Sequence, residues 1–228
     1  MGTSSAGGIN LLIIDTETTG LERSKGCKAI ELAAALYSVE YREVLQTVGV
    51  LLPTQTNEAE HINRISPAIT QVQQPWPMGL KFFAEMASAA DYAIAHNADF
   101  DRKWFGHGLM PSLDLPWICS MELKWGPMPG RSLRDIALAH GMTITPDHHR
   151  AMPDVLLLAG VLSRRDDLEA LIEDATKPRK VYRANVPFAR KDEAKMAGFK
   201  WEASSKRWLK PLTEEERLGL SFEVIPCA

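Results

Sequence analysis

Residues 9–15, INLLIID, form an apolar run that closes on a carboxylate, and a second carboxylate, Glu17, follows two positions later. A run of this length with little polar alternation fits a buried central strand. Side chains at i and i+2 of a strand leave by the same face. Asp15 and Glu17 therefore project together from the end of a rigid element, beside the small loop residues Thr18, Thr19 and Gly20. Like charges held this close repel unless a cation sits between them, and hard divalent cations take oxygen ligands. For any single Asp-x-Glu the alternative is a polar pair facing solvent at a strand end, so the rest of the chain must decide.

After this strand the pattern predicts two more, over 30–38 and 42–52, linked as a hairpin through residues 39–41. Ser66-Pro67 offers an N-cap and a first helical position for a short helix over 66–73. Apolar residues at 82, 83 and 86 predict a helix over 75–90. A strand over 91–97 then precedes a helix over 99–108 that ends near Gly106 and Gly108. A strand over 117–121, a helix over 131–141 stopped by Gly141, and a long apolar helix within 148–165 complete the region. Strands first, then strands alternating with helices, describe an α/β domain spanning 9–172, preceded by a small-residue tail at 1–8. Residues 173–180, charged and proline-bearing, read as a linker. Residues 181–228 form a small α+β module: a strand, a helix, and a hairpin turning near 203–205. A unit of this size has little room for a core.

The net charge of −3 hides a contrast, because residues 1–176 balance to −8 and residues 177–228 to +5. An acidic body with a basic end points to an anionic polymer as partner. The three cysteines, at 27, 119 and 227, are far apart and include no Cys-x-x-Cys. That disfavours a disulfide framework or a cysteine zinc site and suits a reducing, cytoplasmic setting. No apolar stretch approaches the roughly 20 residues that span a bilayer, and residues 1–8 lack the pattern of a secretory signal.

Two further acidic clusters lie downstream. In residues 96–101, HNADFD, Asp99 and Asp101 flank a helix start, where carboxylates also cap free amides, so either could do only that. In residues 148–154, HHRAMPD, Pro153 fits only the first turn of a helix, so His149 falls on the preceding loop and can lean toward Asp154 or its surroundings. Asp154 could also be a mere partner of the helix dipole. Taken together, IIDTETTG, HNADFD and HHRAMPD resemble, in order, the three motifs of the DEDDh branch of the DnaQ-like 3′–5′ exonucleases. The resemblance covers roughly residues 9–165. The stretch WICSMELKW and the chain length are similar to the exonuclease X group within that branch.

The resemblance implies a ribonuclease H-like exonuclease domain, a mixed central sheet flanked by helices. It implies two divalent ions, Mg²⁺ or Mn²⁺, held by Asp15, Glu17, Asp101 and Asp154. It makes His149 the general base for the attacking water, in keeping with an imidazole that titrates near neutral pH. It places Thr16, Thr18, Gly20 and Leu21 around the terminal nucleotide, and Asn63 and Ile65 in the segment that wedges against terminal bases, with Asn63 where the family carries histidine. Asn97 would orient substrate or backbone, and Phe100 serves as a core anchor or a substrate contact. The implied product is a nucleoside 5′-monophosphate.

In the C-terminal module Lys191, Lys195, Lys200, Lys206 and Arg207 interleave with Trp201 and Trp208. Cations that track phosphates beside aromatic faces that stack on bases are the pattern of single-strand binders. The competing reading makes the two tryptophans the core of a small fold, and that reading is favoured here. The segment is similar to a small domain appended to plasmid and phage DNA-processing proteins. The expectation for the whole chain is a metal-dependent 3′–5′ exonuclease on DNA, with nucleic acid as partner, no membrane, and no protein partner legible. Its rivals are an exoribonuclease of the same family, a polymerase-associated proofreading subunit, and a catalytically silent nucleic-acid-binding protein.

Overall fold

The structure, a computed structural model, describes residues 8–128, 130–144 and 150–227. The chain divides into two compact units, Met1–Ala175 and Thr176–Ala228. The first contains β1 (Asn10–Thr18), β2 (Ala29–Ser38), β3 (Glu43–Leu51), α1 (Glu60–Asn63), α2 (Pro67–Thr70), α3 (Trp76–Ser88), β4 (Tyr92–Ala95), α4 (Ala98–Arg102), β5 (Trp117–Cys119), α5 (Leu133–Ala139), α6 (Ala151–Leu162) and α7 (Leu168–Thr176). Among the described residues no helix is long and apolar enough to cross a membrane.

The first unit is built on a five-stranded mixed sheet in the order β3-β2-β1-β4-β5. β1 pairs antiparallel with β2 and parallel with β4, so the strand that ends in Asp15 and Glu17 is central, as the apolar run predicts. Alternate β1 side chains feed two cores. Leu11 and Ile13 join Ala33, Ala35 and Tyr37 against Val155, Leu158 and Leu162 of α6. Leu12 and Ile14 join Ala34, Leu36 and Val50 against Phe83 and Met86 of α3. Helices on both faces explain why every residue of β2 is buried, and the small Ala33, Ala34 and Ala35 let those helices approach.

Local chemistry sets most boundaries. Ser66 caps α2 by accepting from the Ile69 N–H, and a Ser132/Asp135 capping box starts α5. Pro153 sits in the first turn of α6, where its missing N–H leaves no partner unsatisfied. Two expectations are corrected. α4 ends at Arg102, and Gly106 and Gly108, at φ 75° and 59°, belong to the turns that follow rather than to its end. α7 carries helix through Thr176, into the stretch read as linker. The helix expected from apolar residues 82, 83 and 86 is α3, which buries Phe83 and Met86 and leaves Phe82 41% exposed.

The second unit contains β6 (Lys180–Ala184), α8 (Lys191–Met196), β7 (Lys200–Glu202), β8 (Arg207–Leu212), α9 (Glu214–Leu218) and β9 (Val224–Pro226), with an antiparallel sheet ordered β7-β8-β6-β9. Its buried core is Tyr182, Ala194, Phe199 and Leu212, with Trp208 only partly packed against it. Trp201 stands outside that core at 51% exposure. The expectation that both tryptophans form the core is corrected: β7 is a fully exposed edge strand, and Phe199 just before it fills the interior.

In α3, a Cβ on Gly79 would lie 2.7 Å from Val50 Cγ2, so glycine allows the helix to close on β3. Gly79→Ala should therefore lower stability, although alanine favours a helix by about 1 kcal/mol. In a urea-denaturation double-mutant cycle with Val50→Ala, the pair should be coupled by more than about 0.5 kcal/mol. Simple additivity would contradict the close approach.

Candidate active site

The site forms where β1 runs out of apolar residues. Asp15 lies opposite Ala33, and Glu17 lies directly opposite Glu31 of β2, with a bulge following at Glu17/Thr18. Cross-strand partners share a face, so Asp15, Glu17 and Glu31 emerge together on the side that α6 covers. Asp154, in the first turn of α6, enters from that helix. Asp101 arrives from α4 with 1% exposure and accepts a 2.8 Å hydrogen bond from the Thr16 hydroxyl. Asp99, its rival in the sequence, is exposed and pairs with Arg102 at 2.9 Å. Of those two, only Asp101 belongs to the cluster.

Electrostatics confirm that these carboxylates feel one another. Burial pushes Asp15 well above the ordinary aspartate range, and the charges of Asp101, Asp154, Glu17 and Glu31 push it further. Burial, then Glu31 and Asp154, raise Glu17 from 4.5 to about 8, with Arg150 pulling the other way. Burial raises Asp101 to about 7, against the hydrogen bonding from Thr16. Among the described residues no three acid, histidine or cysteine side chains are drawn tightly enough together to hold an ion as they stand. A hard donor set with this excess of negative charge nonetheless fits divalent cations, which would relieve the repulsion.

Sequence reasoning missed Glu31 and Arg150. The Arg150 guanidinium grips the buried Glu31 carboxylate through Nε at 2.8 and 3.1 Å and through a terminal nitrogen at 2.6 Å. The same carboxylate accepts from the Ala151 N–H at 3.1 Å, so it also caps α6. This bidentate pair fixes the end of the helix that carries Asp154, and it brings a cation beside the acids. The signal was present: Glu31 is the one charged residue in AIELAAALYS.

The loop after β1 is held from several sides. Thr18 and Thr19 are buried, and the Thr18 hydroxyl donates to the Gly20 carbonyl at 2.8 Å. Gly20 lies against Cys27, whose Sγ would be 2.7 Å from an added Cβ. Leu21 is 72% exposed, and its carbonyl accepts from Lys103 Nζ at 2.8 Å. Asn63 and Ile65 are each 1% exposed, so neither presents its side chain at the surface. The Asn63 amide donates to the Thr18 carbonyl at 3.0 Å and its oxygen accepts from Asn57 and the Ile65 N–H, which makes it an anchor for the loop that leaves β1. Asn97 is exposed in a left-handed conformation at φ 70°, a geometry asparagine tolerates. Phe100 is half-buried, edge-on to Trp104 at 5.9 Å and under Lys103 Nζ at 4.3 Å. His149 lies outside the described residues.

Residues 12–162 match a protein family described as Exonuclease. The chain belongs to the exonuclease family. Its three motifs are those of the DEDDh, DnaQ-like branch, and it is a nuclease. Residues 180–227 match a domain of unknown function, DUF8626. No curated protein matches this exonuclease. Among solved structures it is similar to exonuclease X in complex with 5′ overhanging duplex DNA, with 25% identity, a TM-score of 0.51, and coverage of 67% of this chain and 89% of that one. The fold is shared with the nuclease domain of 3′hExo, a DEDDh family member bound to rAMP, at 16% identity and TM-score 0.55, covering 73% and 94%. It is also shared with cell-death related nuclease 4, at 13% identity and TM-score 0.56, covering 90% and 81%.

Raised carboxyl pKa values mean that the folded exonuclease prefers its acids protonated. Stability should therefore fall as pH rises from about 4.5, the ordinary value, toward about 8 for Glu17. Added Mg²⁺ or Mn²⁺ should oppose that loss, so the rise in melting temperature on adding metal should grow across this window. A metal effect independent of pH, followed by calorimetry, would contradict the assignment.

Proposed function

We propose that this exonuclease removes nucleotides from the 3′ end of DNA by divalent-metal-dependent hydrolysis, releasing nucleoside 5′-monophosphates. The observation that carries the reading is the convergence of Asp15, Glu17, Asp101 and Asp154 into one mutually repelling cluster in which acids outnumber cations. Such a cluster would repel a phosphodiester on its own, and a bound cation reverses the local sign.

In this reading Asp15, Glu17, Asp101 and Asp154 hold two ions, Mg²⁺ or Mn²⁺, which supply charge stabilisation at phosphorus and at the leaving 3′ oxygen. Thr16 fixes the Asp101 carboxylate through its hydroxyl. Glu31 and Arg150 hold the α6 end and keep Asp154 directed at the end of β1. His149 takes the proton of the attacking water, the role that an imidazole titrating near neutrality suits. The buried loop residues Thr18 and Asn63 keep the backbone around Gly20 and Leu21 in place, where a terminal nucleotide would lie. The choice of DNA rests on the likeness to exonuclease X, which was captured on duplex DNA. Discrimination between sugars depends on contacts at the 2′ position.

Asp15→Asn should abolish Mg²⁺-dependent degradation of a 5′-labelled oligodeoxynucleotide, a loss of at least about 10³-fold, while the folded state survives. Removing one of the mutually repelling charges should also raise the melting temperature near pH 8 in chelator. Retained activity would overturn the metal assignment, and faster loss of an RNA of the same sequence would move the substrate to RNA.

A further inference from the structure

The second unit contains a feature that catalysis at the acidic cluster does not use. Trp201 and Trp208 are cross-strand partners of β7 and β8, so both rings leave the hairpin by one face, with centroids 5.6 Å apart and planes tilted by 58°. Trp208 touches the unit's core, but Trp201 is 51% exposed and adds nothing to it. The pair therefore presents a half-bare indole on a three-residue edge strand, next to a second ring at stacking distance.

The hairpin is also cationic. Residues 200–210 carry four basic side chains and one acid, Glu202. Register places Lys200 and Arg207 on the face opposite the indoles, with Glu202 opposite Arg207, and the exposed Lys206 lies in the connecting turn. Lys195 is exposed on α8, whereas Lys191 is engaged over the Phe188 ring at 4.4 Å. Lys210 donates to the Ala197 carbonyl at 2.7 Å, and Lys206 is the exposed cation of the turn itself.

We infer that the indole face of the β7–β8 hairpin is a binding surface for single-stranded nucleic acid, with the Trp201–Trp208 pair stacking on unpaired bases and Lys206 of the turn meeting phosphate. Single strands offer free base faces to an indole, whereas a duplex stacks its bases on one another. The cation complements a polyphosphate, and neither Trp201 nor Lys206 contributes to the core. This deepens the proposed exonuclease reading by giving the chain a second grip on the strand. It does not depend on cleavage.

The test uses the full chain carrying Asp15→Asn in chelator, so that nothing is cut. Anisotropy of a labelled oligothymidylate reports binding, with the same strand annealed to its complement as comparison. Trp201→Ala should weaken single-strand binding about tenfold, and Trp201→Phe should restore most of it. Lys206→Ala should flatten the dependence of log affinity on log salt by about 0.7, the loss of one phosphate contact. Both substitutions are at exposed positions, and unchanged thermal melting would show that the unit still folds. Wild-type affinity and salt slope in both variants would overturn the inference. Equal losses for single strand and duplex would replace it with plain electrostatic attraction. Loss of Mg²⁺-dependent degradation by the unmutated protein would count against the exonuclease reading alone, because binding is measured without catalysis.

Discussion

The structure depends on a conflict between burial and charge at the end of β1. A central strand packed on both faces delivers Asp15 and Glu17 into a crowded corner that Asp101 and Asp154 also enter. Burial moves the pKa values of Asp15, Glu17 and Asp101 upward. A fold that gathers negative charge in this way is arranged for something positive.

The surrounding architecture keeps that conflict in place. The antiparallel pairing of β1 with β2 sets Glu17 against Glu31, which adds to the repulsion. Arg150 and the first amide of α6 then hold Glu31, turning its charge into a helix anchor. On the other side, the Asn63 amide and the Thr18 and Thr19 hydroxyls fix the loop that leaves the strand. The scaffold therefore resists the easiest relief of repulsion, which would be to let the elements drift apart.

Most of this was legible where the residues carry a strong pattern. The apolar run before Asp15, the Ser-Pro start of α2 and the proline in the first turn of α6 each have one physical meaning, and the structure agrees with them. Patterns with two meanings were not resolved. Asp99 and Asp101 look alike by local pattern, and only the resemblance to the family motif singles out Asp101, which the structure buries while Asp99 stays exposed. Asn63 and Ile65 sit in a segment read as facing substrate, yet α1 turns Asn63 inward, where its amide satisfies backbone groups that no periodicity reveals. Short elements such as α1, α9 and β9 lack the length to show a period. Trp201 was misplaced because apolar character predicts burial, and an edge strand does not supply it. The Glu31–Arg150 pair, 119 positions apart, is a tertiary fact with only a lone glutamate in an apolar strand to announce it.

The most direct measurement is anomalous diffraction from crystals of the full chain soaked in Mn²⁺ near pH 8, where the acids can give up their protons. The account predicts manganese peaks within coordinating distance of the Asp15 carboxylate, shared with Glu17, Asp101 or Asp154. A well-ordered corner with no anomalous density, or manganese bound only elsewhere on the protein, would contradict it.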